Sequence, residues 1–204
     1  MYLIRHGQTD WNAEGRYQGQ TDSQLSTLGR AQAGQLARAL ASHPLAAVYS
    51  SPLSRALHTA QAIAAPHGLP VRTVDLLREI GLGVWERLTE LEINEKFGRV
   101  LEVRRLDPLG VIPHGGETLA AVQARGMQAV SEIIARHPGE TVAAVAHGAV
   151  NKMIILAALD APHGSVFSIR QDNGAINVLE FAGGRARVMS LNETSHLDGL
   201  ATAP

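Results

Sequence analysis

The chain has 204 residues, 45% of them hydrophobic, with 18 basic and 19 acidic side chains, nine histidines and no cysteine. That length suits one domain, or one domain carrying an insertion, with enough apolar material for a real core. A formal net charge of −1 argues against a dedicated nucleic-acid binder, and the missing cysteine removes disulfides, thiolate nucleophiles and thiolate metal sites together.

In chain order, Tyr2–Ile4 reads as a first buried strand and is followed by a polar, glycine-bearing loop from His6 to about Asp22. Arg5 interrupts the apolar start, so no signal core forms. The longest apolar run, Met153 to Leu159, falls far short of the roughly 18–20 residues that span a bilayer. The expectation is a cytoplasmic protein with no membrane segment. Ser26 or Thr27 can cap a helix running to about Ser42, with Leu28, Leu36, Ala39 and Leu40 as its apolar stripe. Ala46–Tyr49 is a second strand, and Ser51-Pro52 is expected to open the next helix as N-cap and first turn. That helix should stop near His67-Gly68, before a third strand over Val71–Val74.

Residues 85–116 are less regular and hold Pro108 and Pro113; a short helix over Glu90–Phe97 fits, and the stretch is a candidate cap over a site. From Glu117 to Arg136 apolar residues recur at helical spacing. Thr141–Ala146 is a near-continuous apolar strand of the kind buried on both faces, and Gly148–Ala158 returns to helix. Ile176–Phe181 and Arg187–Leu191, joined through Gly183-Gly184, read as an antiparallel hairpin, and the tail from Asp198 to Pro204 should fray. The whole is an α/β pattern over a single domain, residues 1–204, with no repeat or linker.

Two His-Gly pairs end strand-like runs: Leu3-Ile4-Arg5-His6-Gly7 and Ala144-Val145-Ala146-His147-Gly148. The carboxyl ends of strands are where open α/β sheets bind ligands, and glycine lets the backbone approach them. Arg5 adds a fixed charge with the planar donor geometry that suits phosphate. One such histidine alone would be read as structural; two, one of them preceded by arginine, point to chemistry. Of the other histidines, His43 and His137 read as terminal-turn residues. His58, His67, His163 and His196 default to structure, and His114 is only weakly placed near a site mouth. No phosphate loop, dinucleotide fingerprint, His-Glu-x-x-His or Gly-x-Ser-x-Gly pattern occurs.

Arg5-His6-Gly7-Gln8-Thr9-Asp10-Trp11-Asn12 resembles the opening motif of the histidine phosphatase superfamily, the phosphoglycerate-mutase-like proteins of branch 1. The likeness continues in family order through Gly15-Arg16-Tyr17-Gln18-Gly19, Asp22, Leu25 to Gly29, Ser50 to Arg55, Leu77-Arg78-Glu79, Gly83 to Glu86, Gly115 to Thr118 and His147-Gly148. The resemblance implies a three-layer α/β/α sandwich with a mostly parallel sheet and a small cap insertion. It implies His6 as a nucleophile that becomes a phosphohistidine, attacking as neutral imidazole with its other nitrogen tied to an acceptor such as a backbone carbonyl. Arg5, Arg55 and a cationic His147 would surround the phosphoryl group, with Asn12, Gln18, Gly19 and Gly148 completing its site. Glu79 would be the proton donor to the leaving alcohol and then the base for water. No metal or cofactor is called for, since Arg5, Arg55 and His147 supply positive charge. Trp85 is expected to anchor the Glu79 loop from the core.

The resemblance favours a phosphomonoester hydrolase acting on small phosphorylated metabolites, with phosphoserine, phosphoglycerate derivatives and α-ribazole phosphate as candidates. The alternatives are a cofactor-dependent phosphoglycerate mutase, disfavoured by the modest Trp85–Gly116 stretch, and an inactive binding relative. Similar proteins are commonly homodimers. Many relatives carry glycine where Arg87 stands, a departure that bears on loop shape. Arg104 and Arg105 read as a solvated pair that could otherwise meet a second anionic group, and Phe97, Leu101 and Leu106 as an apolar lid or core cover.

Overall fold

Six strands form one sheet: β1 (Tyr2–Arg5), β2 (Leu45–Ser50), β3 (Val71–Thr73), β4 (Thr141–Ala146), β5 (Ile176–Ala182) and β6 (Arg185–Glu193). Across the sheet they lie in the order β3-β2-β4-β1-β5-β6, with β1 to β4 parallel, β5 antiparallel to β1, and β6 antiparallel to β5. The structure is a computed structural model and describes residues 1–200, so 201–204, the end of the tail expected to fray, lie outside the described residues.

The pleat of β4 explains the layering. Ala143 and Val145 face one side, where Leu36, Leu40, Ala56, Ala60 and Ile63 pack with Ile4 and Val48. Val142, Ala144 and Ala146 face the other, against Val122, Ala129, Ile133, Val150 and Ile154. The first layer is built from helices α2 (Thr27–Leu40) and α3 (Ser54–Ala64), the second from α6 (Leu119–Arg136) and α7 (Gly148–Ala158). The result is a three-layer α/β/α sandwich around a mostly parallel sheet.

This layering follows from the strand order. From β1 the chain crosses toward β2 and β3, and from β3 it turns back toward β4 and β5. Crossovers between parallel strands keep one hand, so reversing direction puts the later helices on the opposite face. Adjacent strands β1 and β4 therefore send their continuations to opposite faces, and a crevice opens beyond their carboxyl ends. Arg5 pairs with Ala146 in register, so His6 and His147 emerge side by side.

Several local expectations shift. The loop after His6 contains a one-turn helix, α1 (Asp10–Ala13), closed by a reciprocal capping box between Thr9 and Asn12. In α2, Ser26 is the cap, but the buried face is Gly29, Ala33, Leu36 and Leu40; Leu28 and Ala39 are only half-buried. A glycine is needed there because a Cβ on Gly29 would lie 1.8 Å from the Gln8 carbonyl oxygen, so the helix touches the histidine loop backbone to backbone. Ser51 does not cap α3. That helix starts at Ser54, whose N–H and hydroxyl donate to the Asp22 carboxylate, 2.9 Å and 2.5 Å away. At its other end α3 gives way to a tighter turn over Ala65–His67, since Pro66 has no N–H to continue the ladder.

The 85–116 stretch holds the expected helix α4 (Glu90–Phe97) and a second one, α5 (Val100–Leu106), with Gly98 between them at φ 71°. Ile93 and Leu101 are buried in the core, whereas Phe97 and Leu106 are exposed. Trp85 is also buried, with the Arg104 guanidinium over its ring at 5.2 Å. Arg87 adopts φ 72°, the left-handed conformation that favours glycine. It is held there because its N–H donates to Tyr17 at 2.7 Å while its carbonyl accepts from Arg16.

Candidate active site

A cavity of about 470 Å³ opens at the carboxyl ends of the parallel strands, lined by Arg5, His6, Asn12, Gln18, Gly19, Arg55, Glu79 and Gly148 among others. Residues as far apart as Arg5 and Gln171, 166 positions, are thus brought to one cavity. His147 is the exception: it is fully buried and does not line the cavity, but stands behind His6 with ring centroids 5.1 Å apart, edge to face.

The tautomers follow from the partners. His6 Nδ1 lies 2.6 Å from the Gly7 carbonyl oxygen, which can only accept, so Nδ1 carries the proton and Nε2 keeps its lone pair. Burial, then the charges of Arg55 and Arg5, hold the His6 pKa well below its ordinary value. His147 Nδ1 accepts from the Arg55 Nε–H at 3.2 Å, leaving Nε2–H to donate to the Ser51 hydroxyl at 2.8 Å. His147 is therefore neutral, not the cation expected from the sequence. Burial is again the main cause, with Arg55 beside it adding to the penalty on charge.

Two arginines supply the positive charge. Arg55 is almost wholly buried; besides His147 it donates to the carbonyls of Thr21 at 2.9 Å and Gly19 at 2.8 Å, which leaves two of its five N–H groups uncommitted. Burial pulls its pKa down to about 10, still charged at neutral pH, with Glu79 and Asp22 working the other way. Arg5 donates to the Gln171 carbonyl, its Nε has no partner, and burial lowers its pKa, offset in part by Glu79. The unmatched N–H groups of both suit a multiply charged anion.

Thr9 orients two amides. Asn12 Oδ1 accepts from the Thr9 N–H at 3.1 Å and from Asn173 Nδ2 at 3.2 Å, and Gln18 Oε1 faces the Thr9 hydroxyl at 3.0 Å and the Ser23 hydroxyl. With both carbonyl oxygens engaged, each amide presents its NH₂ group, a pure donor, to the cavity.

Glu79 sits at the N-terminus of α7. Its Oε1 accepts from Ile80, Ala149 and Val150 N–H at 2.8, 3.1 and 3.3 Å, and Oε2 from Ala149 at 3.2 Å. Oε1 is thus saturated, and Oε2 is the oxygen able to hold a proton. The Gly148 N–H, at the first position of α7, is left for another acceptor.

Several supporting residues carried no role in the sequence reading. Arg125 makes a two-pronged pair with Glu117 at 2.9 and 3.0 Å and donates to the carbonyls of Leu76, Arg78 and Glu79. Burial works against the Glu117 charge, but Arg125 and the Gly81 N–H outweigh it, so its pKa lies below the ordinary value. Glu86 accepts from Gln20, Thr21 and Leu82 N–H, tying the Gly19 loop to the Trp85 turn. A Cβ on Gly19, which has φ 53°, would lie 2.2 Å from that carboxylate. Lys152, one turn beyond Gly148, also lines the cavity. His114 is exposed and does not. Among the described residues no group of three or more His, Asp or Glu side chains could hold a metal ion, and no helix is long and apolar enough to cross a membrane.

The family model for the histidine phosphatase superfamily, branch 1, matches residues 1–194. The chain belongs to this superfamily. Among its relatives, phosphoserine phosphatase 1 of Hydrogenobacter thermophilus is 34% identical over 97% of this chain and 93% of its own length. Glucosyl-3-phosphoglycerate phosphatase of Mycobacterium tuberculosis is 37% identical over 79% and 76%. A solved histidine phosphatase fold, YhfR of Bacillus stearothermophilus, superposes with a TM-score of 0.93 at 37% identity, covering 97% of this chain and 98% of the other. The protein is a hydrolase of the histidine phosphatase type for small phosphorylated metabolites, and the mutase alternative is not favoured.

Proposed function

We propose that the hydrolysis runs through a phosphohistidine on His6, without a metal. The observation that carries this reading is the unprotonated His6 Nε2 facing a cavity whose uncommitted groups on Arg5, Arg55, Asn12 and Gln18 are donors. The His6 lone pair attacks phosphorus as the ester O–P bond breaks, and the proton on Glu79 Oε2 passes to the departing alkoxide. Water then attacks phosphorus, gives its proton back to Glu79 and releases phosphate as the N–P bond breaks. Arg5 and Arg55 balance the charge spread over the transferring group, and Asn12, Gln18 and the Gly148 N–H hold its oxygens. His147, neutral and behind His6, positions Arg55 through Nδ1. Gly19 serves through its carbonyl, which fixes Arg55.

Residues 85–116 act as a cap within a single domain: Glu90, Leu101, Arg104 and Arg105 form the outer cavity wall. A cytoplasmic location and a homodimer are consistent with this metabolic role.

The test is brief exposure to a ³²P-labelled phosphomonoester followed by quenching. The expected result is acid-labile, alkali-stable label on His6, turnover that survives chelators, and a His6→Ala protein that unfolds normally but is inactive. Unchanged hydrolysis by His6→Ala would overturn the mechanism.

A further inference from the structure

The cations around the outer cavity are not equivalent. Arg16 is paired with Glu14 and Glu92 and Arg105 with Glu90, whereas Arg104 has no carboxylate partner among the described residues and lies over the Trp85 ring with its Nη1 buried and unpartnered. Lys152 has no carboxylate within 4 Å among the described residues, yet it lines the cavity and is half-buried. Its position is fixed by α7. Gly148 and Lys152 are four residues apart and share a helix face, about 6 Å from one another along the axis. Gly148 abuts the phosphate centre: a Cβ there would lie 3.6 Å from the Arg5 guanidinium and from Glu79 Oε2. Lys152 thus stands about one helical turn beyond Gly148 on the wall of the same cavity.

The charges make the same point. Arg5 and Arg55 answer a phosphate dianion, and the Glu79 carboxylate takes its hydrogen bonds from the Ile80, Ala149 and Val150 N–H groups rather than from Lys152. Burial lowers the Lys152 pKa and Arg5 lowers it further, with the Glu79 charge offsetting only part of this. A second substrate anion at this distance relieves both penalties.

We propose that Lys152 is a specificity-determining residue that receives a carboxylate carried two carbons from the ester oxygen. The preferred substrates are then three-carbon phosphomonoesters of the phosphoserine or 3-phosphoglycerate type, with or without a substituent on the middle carbon. This rests on the phosphatase reading above.

The experiment compares phosphoserine with phosphoethanolamine, which differ only by the carboxylate, in the parent protein, Lys152→Met and Lys152→Arg. The parent is expected to prefer phosphoserine. In Lys152→Met the ratio of the two kcat/KM values should fall about tenfold or more, the size of one charge-assisted hydrogen bond. The loss should lie in KM, and Lys152→Arg should recover part of it. A parent that does not prefer phosphoserine, an unchanged ratio, or equal losses on both substrates overturns the proposal. Hydrolysis of p-nitrophenyl phosphate by the parent separates the two failures. If it persists, only the carboxylate assignment falls; if it is absent, the phosphatase reading falls with it.

Discussion

Arg125 is the sharpest place to test how the Glu79 loop is held. Its guanidinium is 15% exposed and pairs with a Glu117 carboxylate that is 27% exposed. It also donates to three consecutive-loop carbonyls at 2.8, 2.6 and 2.9 Å. Arg125→Met keeps most of the stem volume and removes every one of these donors. Breaking a fully buried pair costs roughly 3–5 kcal/mol. The partial exposure of Glu117, and its remaining bonds to Gly81 and Gln20, reduce that, so about 2–4 kcal/mol is expected. For a domain of this size that is a fall in Tm of roughly 4–16 °C. Urea unfolding of Arg125→Met, Glu117→Gln and the double variant measures both the loss and the coupling. Because the Glu117 pKa is lowered in the folded state, its contribution is present above the ordinary value of 4.5 and fades as pH falls below it. The parent should therefore lose more stability than Arg125→Met between pH 5 and 3. In activity, the loosened Glu79 should slow esters with poor leaving groups more than p-nitrophenyl phosphate, which needs little protonation. A variant within 0.5 kcal/mol of the parent, with uniform kinetics, refutes the view that Arg125 anchors this loop.

Thr9→Val keeps the shape of a fully buried side chain but removes the hydroxyl beside Gln18 and Asn12. KM should rise about tenfold with a smaller change in kcat; steady-state kinetics showing neither would remove Thr9 from the orienting role. The two buried histidines also set an acid limit. Their folded pKa values are depressed, so above about pH 6.5 neither state is protonated, and below it only the unfolded chain takes up protons. Stability should decline below pH 6.5 by up to about 1.4 kcal/mol per pH unit for each histidine. His6→Asn should flatten that slope in urea titrations at pH 7.5 and 5; equal slopes in both proteins would argue that His6 is charged in the folded state.

The motif residues were legible because each is a local chemical commitment. Arg5-His6-Gly7 and His147-Gly148 each follow an apolar run, and the sidedness of β4 could be read from its unbroken apolar character. Helices with strong periodicity and clear ends, such as Gly148–Ala158, were placed to the residue. Ser51 misled because a serine before proline is a good local cap, and only the folded chain reveals that its hydroxyl goes to His147 while Asp22 serves the helix from 32 positions away.

The neutral state of His147 was equally hidden. Tautomer and charge depend on which atom faces each nitrogen, and Arg55 comes from a different layer of the fold. Arg125 and Lys152 carry no sequence signal, since an isolated charge on a helix reads as solvated surface, and Glu86 stood in a matching stretch without a role. The sequence by itself determined which residue types could perform the chemistry and that they lie at strand ends. The tertiary structure decided which of them share the cavity, which nitrogen of each histidine is protonated, and which charges are left without a partner. The reason is physical: burial and partner identity set protonation and pairing, and both are properties of the packed chain.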